Sequence, residues 1–196
     1  MVRNANGLTG RKHAIPHDGD DATLIARVRD GDTEAFGRLV DRYEGALARY
    51  ARHVLGGGDD AADALQDALV RAYQALDRCD PDQFEGWLFR IVSNVCRSRL
   101  ARRRRHPMIP LDQVADQLTT DDNPERAVEH QEMSQQLHEA LRALTLDHRE
   151  ALVMHYVQGL SVHAIAEALD CSLSAVKMRL KRGRESLRGV LEGSGP

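Results

Sequence analysis

The sequence predicts an all-α chain: two small helical domains joined by a flexible acidic linker, the C-terminal one a helix-turn-helix. Three observations carry that expectation. Apolar residues recur at helical spacing along most of the chain, and no run alternates long enough to insist on a strand. Gly, Pro, Asp and Ser punctuate the pattern at intervals suited to helix caps. Finally, the stretch from Gly159 to Leu191 splits into two short amphipathic patterns around a tight break.

Residues 1–19 are polar, hold Gly and Pro, and show no period, so they read as a disordered tail. Asp20 or Asp21 can cap a short helix carrying Leu24, Ile25 and Val28, which Gly31 ends. Asp32 caps a longer helix with Phe36, Leu39, Val40, Tyr43, Leu47, Tyr50 and Val54 on one side. Gly56-Gly57-Gly58 stops it. Asp59 or Asp60 opens the next helix, whose buried stripe is Leu65, Leu69, Ala72 and Leu76. Its opposite face shows Asp63, Gln66, Asp67, Val70 and Gln74. Such a face is usually an ordinary wet surface, but it also suits a basic protein partner.

Residues 77–83 read as a loop broken by Pro81. A helix from Phe84 then buries Phe84, Trp87, Leu88, Ile91 and Val95, with Arg90, Asn94 and Arg97 facing elsewhere. It runs into Arg102–Arg105 and stops by Pro107. Residues 106–123 lose the helical period and turn acidic, which marks a boundary between domains at 20–105 and 124–192. Asn123-Pro124 starts a helix carrying Val128, Leu137, Leu141 and Leu144. Asp147 caps another with Leu152, Val153 and Tyr156, closed by Gly159.

Ser161 caps the first helix of the helix-turn-helix, with Ile165, Ala166 and Leu169 inward. Asp170-Cys171-Ser172 interrupts it, and Ser172 caps the second helix. There Leu173, Val176, Leu180 and Leu187 form one stripe. At about 100° per residue, Lys177, Lys181, Arg184 and Arg188 fall on a strip beside it, with Arg179 and Arg182 outside. A helix packed on one side and cationic along another suits the major groove, where cations neutralise phosphates and Arg can pair with guanine.

Composition narrows the function classes. The chain has 196 residues, a net charge of −3, 42% hydrophobic residues and only 4% aromatic ones. Whole-chain charge therefore does not point to nucleic acid; its distribution does, with basic clusters at 97–105 and 177–188. Three separated cysteines, Cys79, Cys96 and Cys171, read as reduced thiols. Nine histidines include no pair at metal-ligand spacing, and no Walker glycine loop is present, so no enzyme, metal or cofactor is expected. The absence of a long apolar run predicts no membrane insertion and a cytoplasmic protein.

The segments DALQDALVRAYQAL, FEGWLFRIVSNVCRSRLARRRRHP and LTLDHREALVMHYVQGLSVHAIAEALDCSLSAVKMRLKRGRESL resemble, in that order, bacterial RNA polymerase sigma factors of the extracytoplasmic-function group. The resemblance implies a non-catalytic subunit that binds core RNA polymerase, directs it to promoters and promotes melting. It implies that Asp63, Gln66, Asp67 and Arg71 dock on the β′ clamp helices, with a further contact to the β flap. Asp80, Asp82, Trp87, Arg90, Ser93, Asn94 and Arg97 would bind the single-stranded −10 element. Ser172, Ser174, Lys177, Arg179, Lys181, Arg182 and Arg184 would bind the duplex −35 element. An anti-sigma protein is the implied regulator. Two other functions compete: a stand-alone helix-turn-helix regulator, which leaves the α-helical N-terminal half unexplained, and a sigma-mimicking adaptor that sequesters an anti-sigma protein, which has little need of Lys177, Lys181, Arg182 and Arg184.

Overall fold

The computed structural model of the protein describes residues 19–105 and 136–193. No strand forms among the described residues. In the N-terminal half, helix α1 is Asp21–Arg29, α2 Thr33–Leu55, α3 Asp59–Ala75 and α4 Phe84–Arg105. In the C-terminal half, α5 is described over 136–143. It is followed by α6 (Leu146–Leu152), a π-helical turn (Val153–Val157), α7 (Val162–Ala168) and α8 (Leu173–Gly193). The tail, the acidic linker with its domain boundary, and the Asn123-Pro124 start with Val128 lie outside the described residues.

Local chemistry sets most helix ends where the sequence places them. The Asp20 carboxylate accepts the Thr23 N–H at 2.8 Å. Asp32 accepts from Glu34 and Ala35, Ser161 from Ala164 and Ser172 from Ala175. Each satisfies an otherwise orphaned donor of a first helical turn. Gly56 ends α2 at φ 92°, in the left-handed region that glycine enters without strain.

Several expectations need correction. Asp59 opens α3 as expected, but no side chain caps it: Gly58 holds the cap position, and Asp59 and Asp60 lie in the first turn, where their charge complements the helix dipole. Thr145, not Asp147, precedes α6. The segment after α3 is not a plain loop but two 3₁₀ turns, Leu76–Arg78 and Pro81–Gln83. Arg29 ties the first of these down by donating to the carbonyls of Leu76 and Cys79 at 3.1 and 2.5 Å. Tyr156 is exposed rather than inward, because the wider π turn rotates it off the stripe. Leu137 is also exposed, a turn outside the contact made by Leu141 and Leu144. Leu173 is 45% exposed; it sits about 60° round the helix from Val176, at the rim of the stripe. The buried seam of α8 is Val176, Leu180 and Gly183. A Cβ on Gly183 would come within 3.1 Å of Leu152, so glycine lets α8 approach α6 closely.

The two helical halves also pack against one another. Tyr50, Phe89, Val92, Val95, Leu152, Met154 and Ile165 all belong to a continuous buried cluster, with α4 packed on α7 and α2 on α6. Near the end of α2 the His53 ring stacks on His138 of α5, centroids 4.5 Å apart. Arg149 of α6 donates to the Val54 carbonyl at the end of α2 at 3.1 Å. The same guanidinium donates to the carbonyls of Leu141, Arg142 and Leu144 at the end of α5. Orphan acceptors of two helix C-termini thus share one cation.

Burial, with the nearby His138, Arg52 and Arg49, depresses the His53 pKa to about 4. Its Nδ1 is buried without a hydrogen-bond partner, as suits a neutral ring. The folded pKa lies below the unfolded one, about 6.5. The contribution to stability is therefore fully present above pH 6.5 and is lost as pH falls toward 4. Thermal melts from pH 7.5 down to 5 should show His53→Phe losing less stability on acidification than the parent chain. Equal losses would refute the assignment.

Candidate nucleic-acid interface

Three outward surfaces hold the residues that the sequence singles out. The first is the exposed face of α3. Asp63, Gln66, Asp67, Val70, Arg71 and Gln74 all point to solvent there, and Val70 and Tyr73 leave 53% and 45% of their surface uncovered. Its acids are partly answered from the neighbouring helix. Arg99 of α4 reaches Asp67 at 2.5 Å and Asp63 at 3.9 Å, and Arg103 pairs with Asp60. The face is therefore less negative than its sequence, though each carboxylate keeps solvent-facing acceptor capacity.

The second surface is α4 with the turns before it. Asp80 caps the Pro81–Gln83 turn by accepting the Asp82 N–H at 3.1 Å; both acids are exposed, as are Arg90 and Asn94. Trp87 is half-buried against Phe84, centroids 5.8 Å apart, so its packing role and any stacking role share one ring. Cys79 is buried and its thiol donates to the Asp80 carbonyl. Burial raises its pKa to about 11, which disfavours the reactive thiolate.

Ser93 departs most from expectation. It is 1% exposed and its hydroxyl donates to Glu150 Oε1 at 2.8 Å. Glu150, on α6, is fully buried. Its carboxylate also accepts from Tyr50 at 2.8 Å and from Arg97 at 2.9 and 2.5 Å. Arg97 further reaches Asp147 at 3.0 Å. Burial and the Glu150 charge together push the Tyr50 phenol far above its ordinary pKa, so it stays a donor. A buried charge so surrounded has its lone pairs used and its counter-ion in place. Arg90 completes this side by pairing with Asp170 at 3.2 Å. Beyond Arg97 a cleft of about 390 Å³ opens, lined by Leu100, Ala101, Arg104, Arg105 and Leu146.

The third surface is α8. Ser172, Ser174, Lys177, Lys181, Arg182, Arg184 and Arg188 are exposed. Arg184 is steadied by the Tyr156 hydroxyl at 3.2 Å. Arg179 is different: it is half-buried, turned toward Asp147 at 3.6 Å and the Cys171 sulfur at 3.7 Å. The tight turn before α8 needs Asp170 at φ 50°, a conformation that Asp tolerates better than most residues. Among the residues assigned no role by sequence reasoning, Met178 lies 47% exposed between Lys177 and Lys181. The stripe count alone leaves it outside the core and so could have found it.

Residues 39–106 match the family model for Sigma-70 region 2, and residues 134–187 that for Sigma-70, region 4. The ECF RNA polymerase sigma-E factor of Escherichia coli K12 is 33% identical over 176 residues, which cover 85% of this chain and 92% of that one. The chain belongs to the extracytoplasmic-function sigma factors. RNA polymerase sigma factor NccH of Alcaligenes xylosoxydans xylosoxydans is 36% identical over 178 residues, 89% of this chain and 96% of its own. Among solved structures, CnrH in complex with the cytosolic domain of CnrY aligns with a TM-score of 0.66 at 31% identity, covering 89% of this chain and 99% of that one. The sigma factor RpoE bound to anti-sigma factor NepR from Bartonella quintana shares the fold, with a TM-score of 0.62 at 24% identity over 82% of this chain and 98% of that one. This sigma factor therefore carries both the region 2 and region 4 modules in one all-α chain, and it works in transcription initiation. No described helix is long and apolar enough to cross a membrane.

Proposed function

We propose that this sigma factor mounts on core RNA polymerase through α3, reads the −35 element as duplex with α8, and captures the single-stranded −10 element with α4 and the turn before it. One observation carries the reading. The exposed faces of two helices have unlike chemistry: α3 presents Asp63, Gln66 and Asp67 around Val70, and α8 presents Lys177, Lys181, Arg182 and Arg184. A carboxylate face cannot favour DNA but suits a basic protein helix such as the β′ clamp, while the cationic strip suits phosphates. The β flap then contacts the C-terminal half. Melting draws on the binding of unpaired bases, with no hydrolysis by this chain, and Trp87 and Asn94 supply a stacking face and a hydrogen-bonding edge. The protein acts in the cytoplasm, where an anti-sigma protein covers the same polymerase-facing surfaces. That partner agrees with the complexes reported for CnrH and RpoE.

Run-off transcription with purified core polymerase on genomic fragments tests the activity and maps the promoter at once. Site-selective initiation is expected; indifference of core to added protein would overturn the reading. A stand-alone regulator would instead shift duplex promoter without core. For the docking face, Asp63→Lys with Asp67→Lys should weaken core binding by about tenfold or more, read by competition anisotropy. The circular-dichroism melt should stay cooperative, since both side chains lie in solvent. Unchanged affinity for core would remove α3 from the interface.

A further inference from the structure

We propose that Arg29 is a positioning residue for promoter recognition: from α1 it fixes the backbone of the turn at 76–83, whose side chains read the unpaired −10 bases. The inference rests on the assignment of that turn to the −10 strand. The match to Sigma-70 region 2 begins at residue 39, so α1 stands outside the matched span. The turn has little of its own to hold it. It is two short 3₁₀ pieces, a conformation whose hydrogen bonds are poorly aligned. Leu76 and Cys79 are buried, while Asp77, Arg78, Asp80, Asp82 and Gln83 face solvent. Its own bonds are local: Cys79 N–H to the Leu76 carbonyl, Gln83 N–H to the Asp80 carbonyl, and Asp82 N–H to the Asp80 carboxylate. Among the described residues, only Arg29 donates to this backbone from a remote part of the sequence. Its Nη2 reaches the carbonyl oxygens of Leu76 and Cys79 at 3.1 and 2.5 Å, bracketing the first 3₁₀ piece.

Helix α1 is itself a fixed base for this contact. Leu24 and Ile25 are fully buried, Asp21 accepts from Arg42 and Tyr43 of α2, and Arg27 pairs with Asp32 at 2.6 Å. Arg29 stands four residues after Ile25, so it continues the buried face toward the turn. A charged donor makes a stronger bond to a carbonyl than a neutral one, and a planar guanidinium holds two acceptors in a set relation better than a point charge does. The consequence falls on the neighbouring side chains. Asp80 follows Cys79 directly, and its carboxylate in turn caps the piece that carries Asp82. Both carboxylates keep their places only if the backbone at Cys79 keeps its own. A preformed polar edge discriminates between bases, because the wrong base leaves donors and acceptors unpaired. A loose turn re-forms around each base and tells them apart less. Arg29 therefore sets how sharply bases are distinguished without touching one.

The test compares the full chain with its Arg29→Met variant on core polymerase. The template is a promoter mapped for the parent, with each −10 base exchanged in turn for the other three, and initial run-off rates are read. The parent should prefer one base at one or more −10 positions. In the variant that preference should shrink by about fivefold at the position the turn reads, since two hydrogen bonds are lost. Exchanges in the −35 element should affect both proteins alike. Hydrogen exchange of the free protein should quicken at the amides of 77–83 and not in α2 or α4. A uniform loss of rate over all templates makes Arg29 a support of the fold or a phosphate contact, and overturns the proposal. So does an undiminished base preference, or unchanged exchange in the turn. If the methionine variant does not fold, Arg29→Gln, a good helix former too short to reach both carbonyls, replaces it under the same criteria. A parent chain that initiates nowhere, or is indifferent to every −10 base, removes the −10 assignment itself rather than the role of Arg29 alone.

Discussion

Exchanging Lys177 and Lys181 together for alanine should cut the affinity of the polymerase-bound protein for its upstream element and flatten the salt dependence. Both lysines are exposed on the outward strip of α8, and neither supports the core, which α8 meets through Val176, Leu180 and Gly183. Each phosphate contact releases counterions worth a slope of about 0.9 in log affinity against log salt, so losing two should lower the slope by about 1.8. Across a fourfold rise in salt that difference is about twelvefold, so the defect should be large at 50 mM and much smaller at 200 mM. Filter binding or anisotropy across that range reads it directly. A wild-type slope in the double variant would place the phosphates on another surface. Arg179→Ala gives the contrast: that side chain is turned inward toward Asp147, so it should lower stability with little effect on the slope.

Glu150→Ala carries the other large effect. The carboxylate is fully buried and holds Tyr50, Ser93 and Arg97. Removing it leaves the Tyr50 and Ser93 hydroxyls without their acceptor and the Arg97 guanidinium with Asp147 alone at the contact between halves. Breaking a buried ion pair from one side costs roughly 3–5 kcal/mol. For a chain of this size that corresponds to a fall in Tm of about 6–20 °C. Because part of the penalty is the partner that Arg97 loses, Glu150→Ala with Arg97→Met should recover part of the loss. A single Glu150→Ala melt within a degree or two of the parent would show that the cluster contributes little, and additive losses in the double variant would show that the pair is not coupled.

Caps and stripes were legible because they are local. Asp20, Asp32, Gly56, Ser161 and Ser172 act on backbone groups within a few residues, so type and spacing suffice to place them. The same holds for the cationic strip of α8 and the carboxylates of α3, whose exposure follows from periodicity. What escaped is what one helix asks of another. Glu150 stands in the middle of the apolar stripe of α6, between Leu146 and Val153, and that placement is the one sequence signal that it is buried. Its partners lie on α2 and α4, 53 to 100 positions away along the chain, and no pattern within α6 names them. Ser93, which the resemblance assigns to the −10 strand, is covered in this structure for the same reason: no pattern within α4 announces the helix that packs on it. Leu173 and Tyr156 show the smaller error of extending a regular stripe across a cap or a π turn, where the angle per residue changes.

The guanidinium of Arg149 couples these parts in a different way. It touches the final carbonyls of α2 and of α5 at once, so neither helix end can drift without abandoning a shared donor. Hydrogen bonds fail over a few tenths of an ångström, and a deserted acceptor must find water before the motion becomes favourable. Parting of the two halves should therefore behave like a snap fastener, closed or released, with few molecules caught part-way.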